Sequence, residues 1–358
     1  METPELDFRP RLPPKTDYRI GCVGAGFIMR DAHLEAYARA GFRVVAIASR
    51  TPEHARAVAA ERGIPRAYDT YEEMLADPSI EIVDIAFPPD RQLEVVREAV
   101  RHSDHIRGVL AQKPLAPSTS EAREIVDLCA RAGVTLAVNQ NMRYDQSMRA
   151  LKDLLTRGVL GQPVLATIEM HARPHWQEFL RGGDRLTILN MSIHHLDCFR
   201  FLFGDPERVY ASTRADPSMD FPHTDGICLY ILEYADGLRA TSWDDTYSWT
   251  DDKGIRWRVE CTEGTAKGTI GWPDYPNGSP STIDYVLRSR PDLWHRPRWK
   301  DEWLPDAFVG TMAQLMRAIQ EGTEPEISGR DNLRTMALVD ACYRSVAEHR
   351  AVSPAGPL

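Results

Sequence analysis

The chain has 358 residues, of which 43% are hydrophobic and 27% charged, so it is long enough to bury two cores. Its formal net charge of −9 argues against nucleic acid or an anionic membrane as a partner, and no apolar run reaches the roughly 18 residues of a membrane span. The 6 cysteines form no C-x-x-C pair, which disfavours a disulfide framework and a cysteine zinc site. We therefore expect a cytoplasmic protein with two domains.

The first domain is predicted from a regular alternation of strands and helices. Residues 1–17 contain Pro10, Pro13 and Pro14 and are expected to form a flexible arm. The predicted strands begin near Tyr18 and then cover 44–48, 66–68, 82–86, 107–111 and 134–138, and the predicted helices cover 28–40, 52–62, 71–76, 90–102 and 118–132. Such alternation of apolar strands with helices predicts an α/β fold with a doubly wound parallel sheet.

The second domain, residues 141–358, is predicted from longer strands with alternating apolar positions. The predicted strands cover 164–171, 207–213, 226–234, 238–246, 255–261 and 265–270, and the predicted helices lie near 145–157, 186–203, 306–320 and 330–350. Short turns between these strands predict an α+β domain with a largely antiparallel open sheet, one face of which the last three helices cover. The other face is expected to form a subunit interface, and residues 271–305 are predicted to be long loops.

The join between the first strand and the first helix, Gly24-Ala25-Gly26, is the predicted cofactor-binding turn. Unpaired N–H groups at the start of a helix favour an anionic pyrophosphate, and glycines let it approach the backbone closely. Met29 stands where a small residue normally lets the helix pack on its strand. We therefore expect the first helical turn to stand slightly off the strand, with Phe27 and Ile28 covering the cofactor. The alternative is an ordinary tight strand-to-helix turn.

The end of the second strand, Ala48-Ser49-Arg50, bears on the choice of nicotinamide cofactor. An acidic side chain there would bind the ribose 2′-hydroxyl and repel a 2′-phosphate, whereas Ser49 and Arg50 supply donors and positive charge. We predict NADP, with NAD as the alternative because Glu53 lies one helical turn further on. Pro88, after the fourth strand, and Gln112 and Lys113, after the fifth, complete the predicted cofactor-binding set.

Lys113 follows the fifth strand in the segment Gln112-Lys113-Pro114 and is the first predicted catalytic residue. In parallel sheets of this kind, ligands bind at the carboxyl ends of the strands. Burial, together with the positive charge of an oxidised nicotinamide ring, would lower the pKa of the amine toward the working pH. The amine would then exchange a proton with a substrate hydroxyl. The alternative is a surface lysine that ends a strand.

Three segments together resemble the Gfo/Idh/MocA oxidoreductase family: the glycine turn, Gln112-Lys113-Pro114, and the residues from Gly182-Gly183 to Asp197. The resemblance extends over about residues 18–350. It implies a Rossmann domain at residues 18–140, a C-terminal domain for substrate binding and oligomerisation, and NADP or NAD as cofactor. It also implies a sugar, cyclitol or related polyol derivative as substrate, and a homodimer or homotetramer that assembles through the C-terminal sheet.

Two motifs of the family are altered in this sequence. The glutamate of the family's E-K-P motif is replaced by Gln112, and the family's D-x-G-x-H motif reads N-M-S-I-H, from Asn190 to His194. An asparagine cannot take up or release a proton at neutral pH, so the resemblance leaves proton transfer to Lys113 and His194, with Asn190 as an orienting group. Taken alone, His194 is more typical of a packed core histidine, and its neighbour His195 is interpreted as structural.

Further substrate contacts are expected from residues after the sixth strand and after the first strand of the second domain. These residues are Asn139, Arg143, Tyr144, Arg173 and Trp176. Amide and guanidinium groups bond hydroxyls or carboxylates, and aromatic rings stack on sugar faces. The alternative for residues 139–144 is a polar hinge between domains. No metal site is predicted, because His171 lies in strand-like sequence and Pro174 separates it from His175.

The resulting hypothesis is an NAD(P)-dependent oxidoreductase that transfers a hydride between nicotinamide and a carbon of a sugar, cyclitol or related polyol derivative. Lys113 and His194 handle the hydroxyl proton in this hypothesis, while the cofactor carries the hydride. Two alternatives remain open at this point. One is a cofactor-dependent glycosidase of the same family, and the other is a dinucleotide-binding sensor without catalysis, which the amides Asn190 and Gln112 favour.

Overall fold

The computed structural model describes residues 5–172, 180–181, 185–250, 253–271 and 279–354. The chain divides into two compact units. The first unit contains Pro10–Asn141 and Leu304–Leu333, and the second contains Met1–Arg9, Met142–Trp303 and Arg334–Leu358. Both units are therefore built from segments that are far apart in the sequence, whereas the predicted extents, 18–140 and 141–358, treat each domain as one uninterrupted segment.

A six-stranded parallel sheet forms the centre of the first unit. Its strands are β1 (Ile20–Val23), β2 (Val44–Ala48), β3 (Arg66–Tyr68), β4 (Ile82–Ile85), β5 (Gly108–Ala111) and β6 (Thr135–Val138). The order across the sheet is β3-β2-β1-β4-β5-β6, and all neighbouring strands are parallel. The strand order reverses between β1 and β4, which confirms the predicted doubly wound sheet.

The helices end where the sequence supplies caps. They are α1 (Leu34–Ala40), α2 (Pro52–Arg62), α3 (Tyr71–Leu75), α4 (Pro89–Arg101), α5 (Thr119–Ala132), α6 (Gln146–Thr156), α7 (Ile193–Phe203), α8 (Ala307–Glu321) and α9 (Gly329–Glu348). In α5, the Ser118 hydroxyl accepts the N–H of Glu121 at the first turn, and Gly133 closes the helix with a left-handed φ of 68°. These are the usual devices for satisfying orphan backbone groups at helix ends.

The segment after the glycine turn is more irregular than the predicted helix over residues 28–40. Ile28–His33 forms a π-helical segment, and regular α-helix begins only with α1. Met29 is fully buried inside this segment. A π-helical turn is wider than an α-helical one, and such turns are frequent at functional sites. We attribute the wider turn to the bulk of Met29 at a position where a small residue is usual.

Helix α8 does not lie where the sequence pattern placed it. The prediction that it covers the antiparallel sheet is wrong, because it packs on β5 and β6 in the first unit. The glycine that begins β5 makes this approach possible, since a Cβ on Gly108 would stand 2.6 Å from the side chain of Ile319. Beyond α8, the Ile327 carbonyl accepts the N–H of Val138 at 2.8 Å. An apolar helix face matches either sheet, so periodicity alone does not decide between them.

An eight-stranded sheet forms the centre of the second unit. Its strands are β7 (Pro163–His171), β8 (Arg208–Arg214), β9 (Ile227–Glu233), β10 (Arg239–Asp245), β11 (Gly254–Cys261), β12 (Gly264–Ile270), β13 (Thr282–Leu287) and β14 (Trp294–His295). The order is β14-β13-β12-β11-β7-β10-β9-β8, with β7 and β10 parallel and the remaining pairs antiparallel. The largely antiparallel sheet is confirmed.

The prediction of long loops over residues 271–305 is wrong for two stretches, because β13 and β14 lie there. In β13, Ile283 and Tyr285 are fully buried and alternate with more exposed residues. This period of two was present in the sequence, but the prolines, tryptophans and aspartates around it obscured a strand of only 6 residues.

The two faces of the second sheet differ in polarity and cover. Ile168, Tyr230 and Trp257 are buried on one face. Helices α7 and α9 belong to this unit, the latter from Arg334 onward. The other face carries large apolar side chains that are 43–52% exposed: Leu165, Tyr210, Leu229 and Ile231. Within the described residues, no helix is both long enough and apolar enough to cross a membrane.

Candidate active site

The glycine turn after β1 has two glycines with different reasons for being glycine. Gly24 has a φ of +112°, and a Cβ there would lie 2.8 Å from the carbonyl oxygen of Ala86, so the fold itself requires glycine. Gly26 is exposed, and a Cβ on it would have no neighbour among the described residues within 4 Å. The turn therefore leaves open backbone at the start of the helical segment, and the pyrophosphate contact there stays a prediction.

The carboxyl ends of β1, β2, β4 and β5 bring the other predicted cofactor residues to one edge of the sheet. Phe27, Ile28, Ser49 and Pro88 are partly exposed there, and Gln112 is buried. A doubly wound sheet binds its ligands along this edge, at the point where strand order reverses. Their joint position is therefore compatible with the predicted dinucleotide site.

The charge of Arg50 bears on cofactor choice. Arg50 is exposed, and within the described residues no carboxylate lies in ion-pair distance of it. Glu53, which the sequence suggested as a counterweight, instead pairs with Arg56 at 2.9 Å. The exposed guanidinium at the end of β2 therefore keeps its charge for an incoming anion.

A buried polar network lies beneath the carboxyl edge and was not predicted. His33 Nδ1 is 2.7 Å from Asp84 Oδ2, and the hydroxyl of Tyr37 donates to the same carboxylate oxygen at 2.7 Å. All three side chains are buried, and burial together with the neighbouring Asp84 charge raises the pKa of Tyr37 well above its ordinary value. A carboxylate inside an apolar strand, and a histidine four residues before a tyrosine on a helix, were the available signals in the sequence.

The same histidine connects the network to the lysine motif. Asp84 can only accept, so Nδ1 of His33 carries the proton and Nε2 is the acceptor. The amide nitrogens of Gln112 and Asn139 lie 3.3 and 3.1 Å from Nε2, as donors should. The side-chain oxygen of Gln112 in turn accepts the backbone N–H of Lys113 at 2.9 Å. The side-chain amide of Gln112 therefore donates to Nε2 of His33 and accepts the backbone N–H of Lys113.

Gln92, on α4, holds the Lys113 segment from a second direction and was also not predicted. Its side-chain oxygen accepts the N–H of Gln112 at 2.7 Å, and its amide nitrogen donates to the carbonyls of Gln112 and Pro114 at 3.0 and 2.8 Å. The Lys113–Pro114 peptide is cis. Fixing the backbone on both sides of Lys113 restricts where its amine can reach.

Lys113 has the altered acidity expected of a proton-transfer group. Burial disfavours its charged form and lowers the pKa of the amine from 10.5 to about 8. An amine with this pKa is present in both protonation states near neutral pH, which suits it to exchange a proton with a hydroxyl. The predicted direction of the shift is therefore confirmed.

The residues after β6 contain polar groups that lack protein partners. Asn139 and Gln140 are almost fully buried. Within the described residues, the side-chain oxygen of Asn139 and both side-chain amide atoms of Gln140 have no hydrogen-bond partner. Buried polar atoms are nearly always satisfied by protein, water or ligand, so these atoms have hydrogen-bonding capacity left for water or a ligand. A substrate contact by Asn139 stays a prediction.

In the second unit, the predicted His194 and Asn190 lie at the start of α7. Ile188–Ser192 is π-helical and leads into α7, so regular α-helical spacing begins only after Asn190. His194 is buried and lies edge-on to Trp303, with 5.6 Å between the ring centroids. Asn190 is partly exposed.

The carboxylate of Asp225 fixes the beginning of this segment. It accepts the N–H groups of Leu186 and Ile188 at 2.8 and 2.9 Å and the hydroxyl of Tyr343, on α9, at 2.7 Å. Burial raises the pKa of Asp225, against the opposing effect of these hydrogen bonds. The helix start that bears Asn190 and His194 is thereby anchored to α9.

Arg143 is committed to a buried ion pair within the second unit. Its Nε lies 2.5 Å from Oδ2 of Asp197 and its Nη2 lies 2.7 Å from Oδ1, a bidentate arrangement. The hydroxyl of Thr335 donates to Asp197 Oδ1 at 2.6 Å. The structure therefore brings Arg143 and Asp197 together, and a substrate that approached Arg143 would have to share its charge with Asp197.

The remaining predicted positions are placed as follows. Tyr144 is buried, with the guanidinium of Arg149 4.1 Å from its ring centroid. His195 is fully buried, and its Nδ1 lies 2.8 Å from a carboxylate oxygen of Asp244. Arg173 and Trp176 lie outside the described residues, as does the pair Gly182-Gly183.

Comparison with known proteins gives matches over nearly the whole chain. The model of an oxidoreductase family with an NAD-binding Rossmann fold matches residues 18–140, and that of the family's C-terminal alpha/beta domain matches residues 152–353. A D-apiose dehydrogenase of Paraburkholderia graminis is 29% identical over 341 residues, covering 92% of this chain and 88% of that protein. A 1,5-anhydro-D-fructose reductase of Ensifer adhaerens is 31% identical over 340 residues, covering 93% and 97%.

A similar solved structure is that of an oxidoreductase from Agrobacterium radiobacter in complex with NAD+, L-tartaric acid and magnesium. It has a TM-score of 0.82 and 24% sequence identity, and the match covers 95% of this chain and 99% of that one. At this identity the likeness supports the fold.

Proposed function

The chain belongs to the Gfo/Idh/MocA oxidoreductase family, and we propose that it is an NAD(P)-dependent dehydrogenase or reductase acting on a carbon of a sugar, cyclitol or related polyol derivative. The observation that carries this proposal is Lys113, whose pKa burial lowers to about 8 and whose backbone is held by Gln92 and Gln112 at the ligand-binding edge of the sheet. The relatives named as a D-apiose dehydrogenase and a 1,5-anhydro-D-fructose reductase support the substrate class.

We propose that the dinucleotide lies along the carboxyl edge of the first sheet. Gly24 and Gly26 would hold its pyrophosphate at the open backbone after β1, with Phe27 and Ile28 beside it. Ser49 and Arg50 would bind the adenosine ribose and its 2′-phosphate, which favours NADP, while Pro88 and Gln112 would line the nicotinamide side. When bound, the cofactor accepts or supplies the hydride.

Proton transfer is assigned to this chain's own groups. In the oxidation direction the neutral amine of Lys113 takes the proton of the substrate hydroxyl, and in the reduction direction the ammonium returns it. His194 serves as a second proton carrier or hydroxyl anchor, and Asn190 orients the substrate through its amide. Asn139, Arg143, Tyr144, Arg173 and Trp176 complete the proposed substrate contacts; Arg143 acts there with its charge shared with Asp197.

Replacing Lys113 by Met tests the central assignment. Turnover with a panel of sugars and polyols, followed at the nicotinamide absorbance band with both cofactors, should fall at least about a thousandfold, the upper part of the range for loss of an acid–base group. The dissociation constants for NADP(H) and NAD(H) should stay within about twofold. Normal turnover in this variant would remove Lys113 from the mechanism.

Replacing Arg50 by Glu tests the cofactor preference. Loss of the guanidinium and gain of a carboxylate should weaken NADP(H) binding at least about tenfold and leave NAD(H) binding nearly unchanged. Arg56→Ala is the matched control, because that exposed arginine on α2 is already paired with Glu53. If the unaltered protein binds NAD(H) at least tenfold tighter than NADP(H), the NADP assignment is wrong.

We also propose that the chain forms a homodimer or homotetramer through the outer face of the second sheet. Tyr210 and Ile231 are direct cross-strand partners, and Ile231 also faces Thr241 on β10, so the exposed apolar side chains share one continuous face. Contiguous exposed apolar surface of this kind is typical of interfaces. Leu229→Lys should shift the molar mass measured by light scattering toward the monomer; an unchanged mass would place the interface elsewhere.

A further inference from the structure

We propose that His102, Asp104 and His105 form a binding site for one divalent transition-metal ion of the Zn2+ type. One ligand atom from each residue lies within 4.8 Å of the ligand atoms of the other two. Imidazole nitrogens with a carboxylate oxygen are a preferred ligand set for zinc and related ions. The three residues lie between the end of α4 and the start of β5, at the amino edge of the parallel sheet, and the inference does not depend on the proposed function.

The first imidazole already has the hydrogen bond that prepares a histidine for a metal. Nδ1 of His105 lies 2.9 Å from the carbonyl oxygen of Ile80. A carbonyl only accepts, so Nδ1 carries the proton, and the lone pair is on Nε2. Metal-binding histidines almost always donate their other N–H to a carbonyl or carboxylate, which fixes the tautomer and the ring orientation.

The second imidazole has the corresponding carboxylate partner. Nε2 of His102 lies 3.2 Å from Oε1 of Glu98, one turn earlier on α4. The other oxygen of Glu98 accepts the Arg101 guanidinium at 2.7 Å, which holds the carboxylate in place. With the proton on Nε2, the lone pair of His102 is on Nδ1. Each histidine of the cluster therefore has one nitrogen that donates to a protein oxygen and a second nitrogen whose lone pair can bind a metal.

The local charge favours a cation. His102 is the capping residue at the carboxyl end of α4, where unpaired carbonyl groups give a partial negative charge. Asp104 adds a full negative charge and is exposed, and the two histidines are half-buried. The two rings are neighbours, with centroids 5.7 Å apart and planes inclined by 37°.

A metal would draw the three ligands closer together. Tetrahedral zinc with bonds of about 2.0–2.1 Å separates its ligand atoms by about 3.3 Å, so ligand atoms that lie within 4.8 Å of one another have to approach by at most about 1.5 Å. The exposed side chain of Asp104 can supply most of that movement by rotation. Three protein ligands leave a fourth position for water, and the bound ion would tie the end of α4, through His105, to Ile80 two residues before β4.

The experiment is a titration of the full-length protein, freed of metal by chelation, with ZnCl2 in a calorimeter. We expect saturable binding of one ion per chain and a metal-dependent rise in melting temperature, whereas MgCl2 should give neither, because Mg2+ prefers oxygen ligands. Asp104→Asn and His105→Gln should each weaken Zn2+ binding at least about tenfold, and Glu98→Gln about tenfold through its action on His102. Visible absorption of bound Co2+ should report the same loss.

The control is His54→Gln, which removes an exposed histidine from α2 in the same unit and should leave binding unchanged. Asp104→Asn alters an exposed side chain, so it keeps the test valid if a histidine variant fails to fold. The proposal is overturned by the absence of stoichiometric Zn2+ binding. It is equally overturned if Asp104→Asn and His105→Gln bind as the control does, since the ion would then sit elsewhere.

Discussion

Asp84 in the first unit and Asp197 in the second are both buried, but different kinds of group bond to their carboxylates. Asp84, in the first unit, accepts from His33 and Tyr37, and among the residues that the structure describes no arginine or lysine pairs with it. Its network continues through Gln112 to the backbone of Lys113. Asp197, in the second unit, accepts from the bidentate guanidinium of Arg143 and from Thr335, and the buried Arg200 lies 3.8 Å from its Oδ1 and donates to the Thr335 hydroxyl oxygen. The first network leads to the lysine proposed to transfer the proton; the second contains only residues of the scaffold.

The two networks differ in what a substitution within them should affect: the folding of the protein or the amine of Lys113. A closed ion pair in a dry interior has its influence on folding, because removing one partner leaves an uncompensated charge. A chain of hydrogen bonds that ends at the backbone of the lysine proposed to transfer the proton can transmit a change to its amine without unfolding the protein. Three measurements test whether the two networks differ in this way.

The largest expected effect is on the closed network. Arg143→Met removes the bidentate partner of the buried Asp197 and leaves only Arg200, 3.8 Å from Oδ1, as a counter-charge. It should lower the free energy of unfolding by about 3 kcal/mol, the lower end of the range for breaking a buried pair. Urea denaturation followed by circular dichroism measures it. Arg157→Met is the control, because the pair Arg157–Asp153 is exposed and should contribute less than about 1 kcal/mol. Equal losses in the two variants would break the contrast.

An intermediate effect is expected in the open network. Asp84→Ala leaves the buried N–H of His33 and O–H of Tyr37 without an acceptor and should lower the free energy of unfolding by about 2–3 kcal/mol. Asp84→Asn keeps one acceptor oxygen and should lose less. Because the network orients Gln112, both variants should also reduce kcat more than they alter KM. A stable variant with unchanged kcat would show that the network is purely structural.

The smallest effect concerns Lys113, where the open network ends, and is a change of activity with pH. The pKa of Lys113 is lowered to about 8, so the neutral amine needed for oxidation disappears below that pH. The value of kcat/KM for oxidation should therefore rise about tenfold per pH unit up to about pH 8 and then level off, while the reduction direction, which needs the ammonium, should decline above it. Thr335→Val, in the closed network, should leave this midpoint in place; a shift there would mean that both networks reach the amine.

Much of the fold could be predicted from the sequence because each element carries its own signal. Strands with buried residues on both faces and helices that end at glycines, as α5 does at Gly133, need only local sequence to be found. The position of α8 was not predictable in this way, since its apolar face suits either sheet. The strand β13 was missed because its six residues sit among loop-forming ones.

The residues of the candidate site also fall into those that local sequence predicts and those that only the folded chain brings together. Gly24 and Lys113 belong to motifs in which spacing carries chemical meaning, so the sequence was sufficient to propose them. His33, Asp84 and Gln92 lie far from one another in the sequence and become a network only when β4 and β5 pair and α4 folds over them. Side-chain pairing of this kind has no periodicity. The ion pair of Arg143 with Asp197 was hidden for the same reason.

The return of residues 304–333 to the first unit has a consequence for biosynthesis. Helix α8 packs on β5 and β6, so a nascent chain that has emerged only as far as residue 141 lacks part of its own core. At typical synthesis rates of about 5–20 residues per second, the missing segment follows roughly 10–40 seconds later. During that interval the apolar faces of β5 and β6 are open to chaperones. A fragment cut at residue 141 for separate expression would keep the same exposed faces permanently.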